Sequence, residues 1–144
     1  MSYHDTKRVV GPGRRWANID IKIAPLIKAL WEAGYETIGS CEDLGMSATS
    51  GRGYGRKFDY WDSYVLIEMP APDACRLLDA VKGTPQFCDK MHWAAPGAWE
   101  VTVPVMPFSP FDVRGEDEAV VGPWAQVHFP NDQIDDLIKV ITAG

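Results

Sequence analysis

Apolar residues recur along this chain at two spacings, and the change from one to the other lays out its elements. From Trp16 to Ile23 the pattern alternates, with Ile19, Ile21 and Ile23 on one side and Asn18, Asp20 and Lys22 on the other. That is the signature of a half-buried strand. A helix reading with Asp20 as N-cap would bring Pro25 inside the first turns, where its ring clashes. Pro25 suits the first helical position instead. The helix it opens carries Leu26, Ile27, Leu30 and Trp31 as its apolar stripe, and Gly34 closes it as a left-handed cap.

Tyr35 to Cys41 reads as a strand leaving that helix, and Tyr64 to Met69 as a second clear strand. Pro72 opens another helix, with Ala74, Leu77, Leu78 and Val81 inward and Gly83 at its end. Trp99, Val101, Val103 and Val105 alternate as a third strand, and Pro104 marks an edge or an end. Ala125, Val127 and Phe129 form one more, on which His128 falls to the outer register. Asn131 is then read as the cap of a last helix with Ile134, Leu137, Ile138 and Ile141 inward. Asp132, Asp135 and Asp136 near its start and Lys139 near its end suit the helix dipole.

Single-stripe helices alternating with half-buried strands predict an α+β fold, a mostly antiparallel sheet with helices packed on one face. The element order suggests a ferredoxin-like βαββαβ arrangement with an added strand and C-terminal helix. Residues 1–15, with a turn at Gly11, Pro12 and Gly13, read as a polar N-terminal arm before a single domain over 16–144.

Composition narrows the function classes. With 144 residues, 46% of them hydrophobic and 24% charged, the chain is sized for one globular domain. Nothing approaches the run of about 18 apolar residues that a membrane span needs. The polar start MSYHDTKRVVGPGRR has no apolar signal core, and the odd set Cys41, Cys75 and Cys88 fits free thiols in a reducing cytoplasm. A net charge of −6 speaks against a general duplex-DNA binder. The charge is uneven, however: residues 1–57 hold nine Lys/Arg against six Asp/Glu, and residues 58–144 hold five against fourteen. A locally basic face can still meet a phosphate or an acidic partner.

The most informative stretch is the long irregular segment after Cys41. It runs from Glu42 and Asp43 through Gly51-Arg52-Gly53-Tyr54-Gly55-Arg56-Lys57 to Tyr60 and Trp61. Long irregular segments inside compact domains are usually either functional or mobile, so a solvated loop is the alternative to a binding site. Glycines let backbone N–H groups approach an anion. Arg52 and Arg56 suit bidentate contact with phosphate or carboxylate, and Tyr54, Tyr60 and Trp61 suit stacking or partner packing. The spacing fits neither a P-loop nor a dinucleotide fingerprint.

Other chemistry is thinner. Cys41 has no histidine beside it in sequence to activate a thiolate, so a half-buried structural role is expected. Cys88-x-x-x-His92 is one close ligand pair where structural zinc generally shows two, and no metal or cofactor is implied. Glu116, Asp117 and Glu118 read as a solvated turn lacking EF-hand spacing. No hydrolase signature is present. Pro104, Pro107 and Pro110 recur every third residue in PVMPFSPF, a polyproline II period that would set Met106, Phe108 and Phe111 between them. An irregular exit from the third strand is the simpler account of them.

The run from Ile23 through Pro25, Leu30, Trp31 and Gly34 to Thr37, then Ser40-Cys41-Glu42-Asp43, with Tyr64 to Glu68 and Phe129-Pro130, resembles small proteins of actinobacterial phages and their hosts. That group has no assigned chemistry, so the resemblance implies an origin and carries over no residue role. It points to a phage or mobile-element accessory protein of the bacterial cytoplasm. The expected function is non-enzymatic binding of a host protein or a small anionic ligand. The expected site is Cys41, Glu42, Asp43, Arg52, Tyr54, Arg56, Tyr60 and Trp61. The alternatives are a small enzyme acting on a nucleotide or nucleic acid, and an oligomeric assembly protein.

Overall fold

A computed structural model describes residues 5–43, 63–92, 95–103, 105–106, 120–121 and 123–143. The chain begins with an antiparallel hairpin of β1 (Thr6–Val10) and β2 (Trp16–Asp20), in which Val10 faces Trp16 and Thr6 faces Asp20. Gly13 and Arg14 at its tip both have positive φ, 68° and 65°, the backbone that tight hairpin turns demand. The segment expected to be a polar arm therefore contains a paired strand. Only Val9 of β1 is buried, so the strand has almost no apolar alternation to show. β2 also stops short of the alternating pattern, and Ile21, beyond its end, is half exposed.

Helix α1 (Ala24–Glu32) starts with Pro25 in its first turn, as its sequence requires. It ends at Gly34 with φ 90°; the Tyr35 amide donates to Leu30 O at 2.9 Å and the Gly34 amide to Trp31 O at 3.1 Å. Those two bonds are a Schellman cap, which needs the left-handed residue that glycine supplies. Then come β3 (Gly39–Cys41), β4 (Tyr64–Pro70), α2 (Ala71–Lys82), β5 (Glu100–Thr102), β6 (Val105–Met106), β7 (Val120–Val121), β8 (Trp124–Pro130) and α3 (Ile134–Ala143). The strand expected over 35–41 is cut to its last three residues.

The main sheet has the order β3-β4-β8-β5, antiparallel throughout. The α+β class and the antiparallel sheet are as expected, but a ferredoxin-like order is not found among the described residues. There the strand before the first helix would lie inside the main sheet; here β2 pairs with β1, and β8 takes the place beside β4. β2 and β3 are nevertheless neighbours. Arg15 Nη2 donates to Thr37 O, and the Glu42 amide donates to Asp20 Oδ2 at 3.0 Å. Both bonds span 22 positions, so the two strands run side by side in one direction, tied by side chains rather than by a backbone ladder. β6 and β7 continue the β5–β8 pairing with a slip. Thr102 faces Gln126 but Val105 faces Val121, and the interval holds Pro104 and Pro123, which have no N–H for a ladder.

Val65, Ile67 and Met69 of β4 and Ala125, Val127 and Phe129 of β8 meet α1, α2 and α3 in one core. Its aromatic centre is Trp99, stacked on Phe129 at 4.6 Å between centroids and edge-on to Phe87 at 5.6 Å. The Trp99 indole N–H donates to Gln133 Oε1 at 2.7 Å, and Gln133 Nε2 donates to Gly97 O at 2.9 Å, so the buried polar atoms are matched. Val101 in β5 and Val103 just beyond it, which alternate in the sequence, are 41% and 44% exposed, and β5 is the last strand of the sheet among the described residues.

Candidate functional site

The end of β3 carries the first three expected site residues, and the fold gives each a definite task. Cys41 is partly buried on the sheet face away from the helices, packed with Tyr64 against Leu66. Glu42 follows as a clip. Its amide donates to Asp20, its Oε1 accepts the Lys22 amide at 3.0 Å, and its carbonyl accepts Asn131 Nδ2 at 3.3 Å. Asp43 Oδ1 accepts the Ser63 amide at 3.1 Å, and Ser63 O accepts the Asn131 amide at 2.6 Å. The carboxylates of Glu42 and Asp43 thus join the two ends of segment 44–62 to each other and to the β1–β2 hairpin. Arg52, Tyr54, Arg56, Tyr60 and Trp61 lie outside the described residues, as do Glu116, Asp117, Glu118 and most of PVMPFSPF.

Asn131 was expected to cap the last helix. Its side chain is turned to Glu42 O instead, and a short 3-10 turn, Asn131–Gln133, leads into α3 with no side-chain cap. Asp20, Lys22, Ser63 and Asn131 are the root residues that sequence reasoning misses. They converge from three separate places in the chain, and no spacing could announce them.

Across the same sheet face, Cys41, Leu66, His128 and Glu100 stand in one cross-strand row. His128 takes the expected register opposite Val127, yet it is only 3% exposed. Burial pushes its imidazole down to about 4, so the ring is neutral near pH 7. Thr102 Oγ1 donates to Gln126 Oε1 at 3.2 Å and lies 3.4 Å from His128 Nε2, an arrangement that favours the proton on Nε2. Tyr64 donates its hydroxyl to Ala98 O at 3.0 Å; burial, then Glu100 and Asp132, raise its phenol above the ordinary range.

Chemically, this row is a poor catalytic pair. Cys41 and His128 sit on strands separated by β4, which puts their backbones about 10 Å apart. An imidazole held at so low a pKa is also a weak base at neutral pH. Cys88 and His92 lie on the far side of the core in the segment after α2, and Cys88 Sγ contacts Pro85 O at 3.9 Å. Among the described residues no three His, Cys, Asp or Glu side chains converge to hold a metal ion. None of the described helices is long and apolar enough to cross a membrane.

A cleft of about 410 Å³ opens between the hairpin turn, the end of α1 and the start of α2, lined by Pro12, Arg15, Trp31, Tyr35, Glu36 and Asp73. Arg15 lies over the Trp31 ring at 4.4 Å, and Trp31 Nε1 donates to Thr37 Oγ1 at 2.9 Å. Arg76 lies over Tyr35 at 4.5 Å and bonds Gly34 O and Asp73 Oδ1, while Asp73 Oδ2 accepts the Glu36 amide. These bonds bind the loop after α1 to the first turn of α2.

Comparison with protein families, with curated proteins and with solved structures finds no match to this chain.

Proposed function

We propose that the protein is a non-enzymatic binding protein whose segment 44–62 engages a small anionic ligand or an acidic surface of a host protein. The observation that carries this reading is the root of the segment. Glu42 and Asp43, the carboxylates nearest to it, are committed to backbone amides at Lys22 and Ser63. They hold the two ends together and are poorly placed to act as an acid–base pair. What the segment then offers a ligand is its sequence: Arg52, Arg56 and Lys57 for charge, Tyr54, Tyr60 and Trp61 for stacking. Arginine beside aromatic rings is a recurrent way of holding carboxylate or phosphate. The resemblance of residues 23–43 supports placing the protein among phage or mobile-element accessory proteins of the bacterial cytoplasm.

The test is a thermal-shift titration with inorganic phosphate, nucleotides and di- and tricarboxylates, run on the wild type and on a variant carrying Arg52→Ala, Arg56→Ala and Trp61→Ala. The reading expects at least one anion to raise the wild-type midpoint, and expects that rise to vanish in the variant while the ligand-free midpoints agree. A rise retained by the variant would sink it, as would turnover of any nucleotide that depends on Cys41 or Asp43.

A further inference from the structure

We infer that the β1–β2 hairpin is a second interaction surface, built to hold a single-stranded nucleic acid. The hairpin presents Arg8 on the same face as an exposed tryptophan, Trp16, and exposed Arg14 at its tip, while Lys7, also exposed, lies on the opposite face beside Val9 and Ile19. Trp16 is 55% exposed and its cross-strand partner Val10 58%, whereas Trp31 and Trp99 are each 5% exposed in the core. Trp16 thus contributes little to core burial. Arg8 places its guanidinium 4.2 Å from the Trp16 ring centroid, so cation and ring form one preassembled unit on a residue more than half exposed.

Lysine and arginine on a sheet edge also guard against edge-to-edge pairing, and that alone would explain Lys7 and Arg8. It does not explain a large open aromatic at the same place. Nor does it explain Arg14 at φ 65°, where a glycine or asparagine would sit with less strain. The turn tips a third cation outward on the same ribbon, at the cost of that strain.

This combination selects one class of partner. Arginines on the ribbon and at its tip can meet phosphates, and an exposed ring beside arginine stacks on a base of any sequence. A duplex keeps its bases stacked on one another and shows only their edges, so the ring gains little there. An acidic protein satisfies the cations but leaves Trp16 without a flat partner. The hairpin is separate in sequence from segment 44–62, and variants in each tell their contributions apart.

The experiment is fluorescence anisotropy of a labelled 20-residue oligothymidylate at low salt, with a duplex of equal length and inorganic polyphosphate as competitors. Wild-type protein is expected to bind the single strand in preference to both. Trp16→Ala should weaken that binding about tenfold or more while leaving competition by polyphosphate unchanged. Arg8→Ala should weaken both and flatten the salt dependence. Trp16 lies outside the core, so circular dichroism and the thermal midpoint of the variant should match the wild type. No binding of the single strand, equal affinity for the duplex, or binding indifferent to Trp16→Ala would each overturn the inference. Sensitivity to Arg52→Ala and Arg56→Ala alone would assign nucleic-acid binding to the other segment and overturn it too.

Discussion

His128 makes stability depend on pH in a way that can be worked out in advance. Its folded pKa is lowered by burial from the ordinary 6.5 to about 4. In the unfolded chain the ring takes a proton near 6.5, while the folded ring stays neutral until about pH 4. Between those values the unfolded state binds one more proton, so stability falls as pH falls. The contribution is fully present above pH 6.5, declines by about 1.4 kcal/mol per unit below it, and is lost by about pH 4. The whole window is therefore worth about 3 kcal/mol, a large part of the margin of a domain this size. Urea titrations at half-unit steps from pH 7.5 to 4 measure it, on wild type and on His128→Gln, which keeps the volume and a polar end but does not titrate. Carboxylates contribute equally to both curves, and the difference between them isolates the histidine. If the two stability curves run parallel through pH 6.5 to 4.5, the buried neutral ring is refuted, and the account of the outer sheet face with it.

Four further perturbations probe the scaffold. Trp99→Phe keeps a ring against Phe129 but leaves Gln133 Oε1 without its indole donor, and should cost about 1–3 kcal/mol in urea unfolding; an unchanged midpoint would show that the bond is idle. Gly11→Ala sets a methyl 2.6 Å from Trp31 Cε3 and should destabilise by about 1–3 kcal/mol through crowding, visible as a drop in the thermal midpoint. Gly34→Ala, with open space around it but φ 90°, should cost about 1 kcal/mol from the backbone alone. Asp43→Ala removes the acceptor for the Ser63 amide, whose hydrogen exchange should quicken about tenfold while the amides of β4 keep their protection.

The helices were the readable part of this sequence. Their apolar stripes repeat at the helical period, and the punctuation is unambiguous: Pro25 and Pro72 in first turns, Gly34 left-handed at an end. Central strands β4 and β8 were equally plain, because both alternate and both bury one face. Edges hid the rest. β1 shows Thr6, Lys7 and Arg8 to solvent and buries Val9 alone, so its sequence looks like a polar arm. Val101 and Val103 alternate as an inward face does, yet their strand closes the sheet with no neighbour on its far side among the described residues.

Site residues divide in the same way. The type of chemistry at Glu42 and Asp43 was visible, but its use was not. A carboxylate is read as catalytic or structural only from what it touches, and Lys22, Ser63 and Asn131 are brought to this root by the packing of the whole domain. His128 is a parallel case. Alternation with Val127 puts it on the opposite face correctly, but alternation does not tell that this part of the face is covered, as the burial of Leu66 beside it shows.

Native mass spectrometry of the protein purified from a bacterial host, beside the Arg52→Ala, Arg56→Ala, Trp61→Ala variant, tests the binding role most directly. The account predicts an added mass on the wild type, from an anion or a host protein, that is missing from the variant. Identical spectra from the two proteins would contradict it.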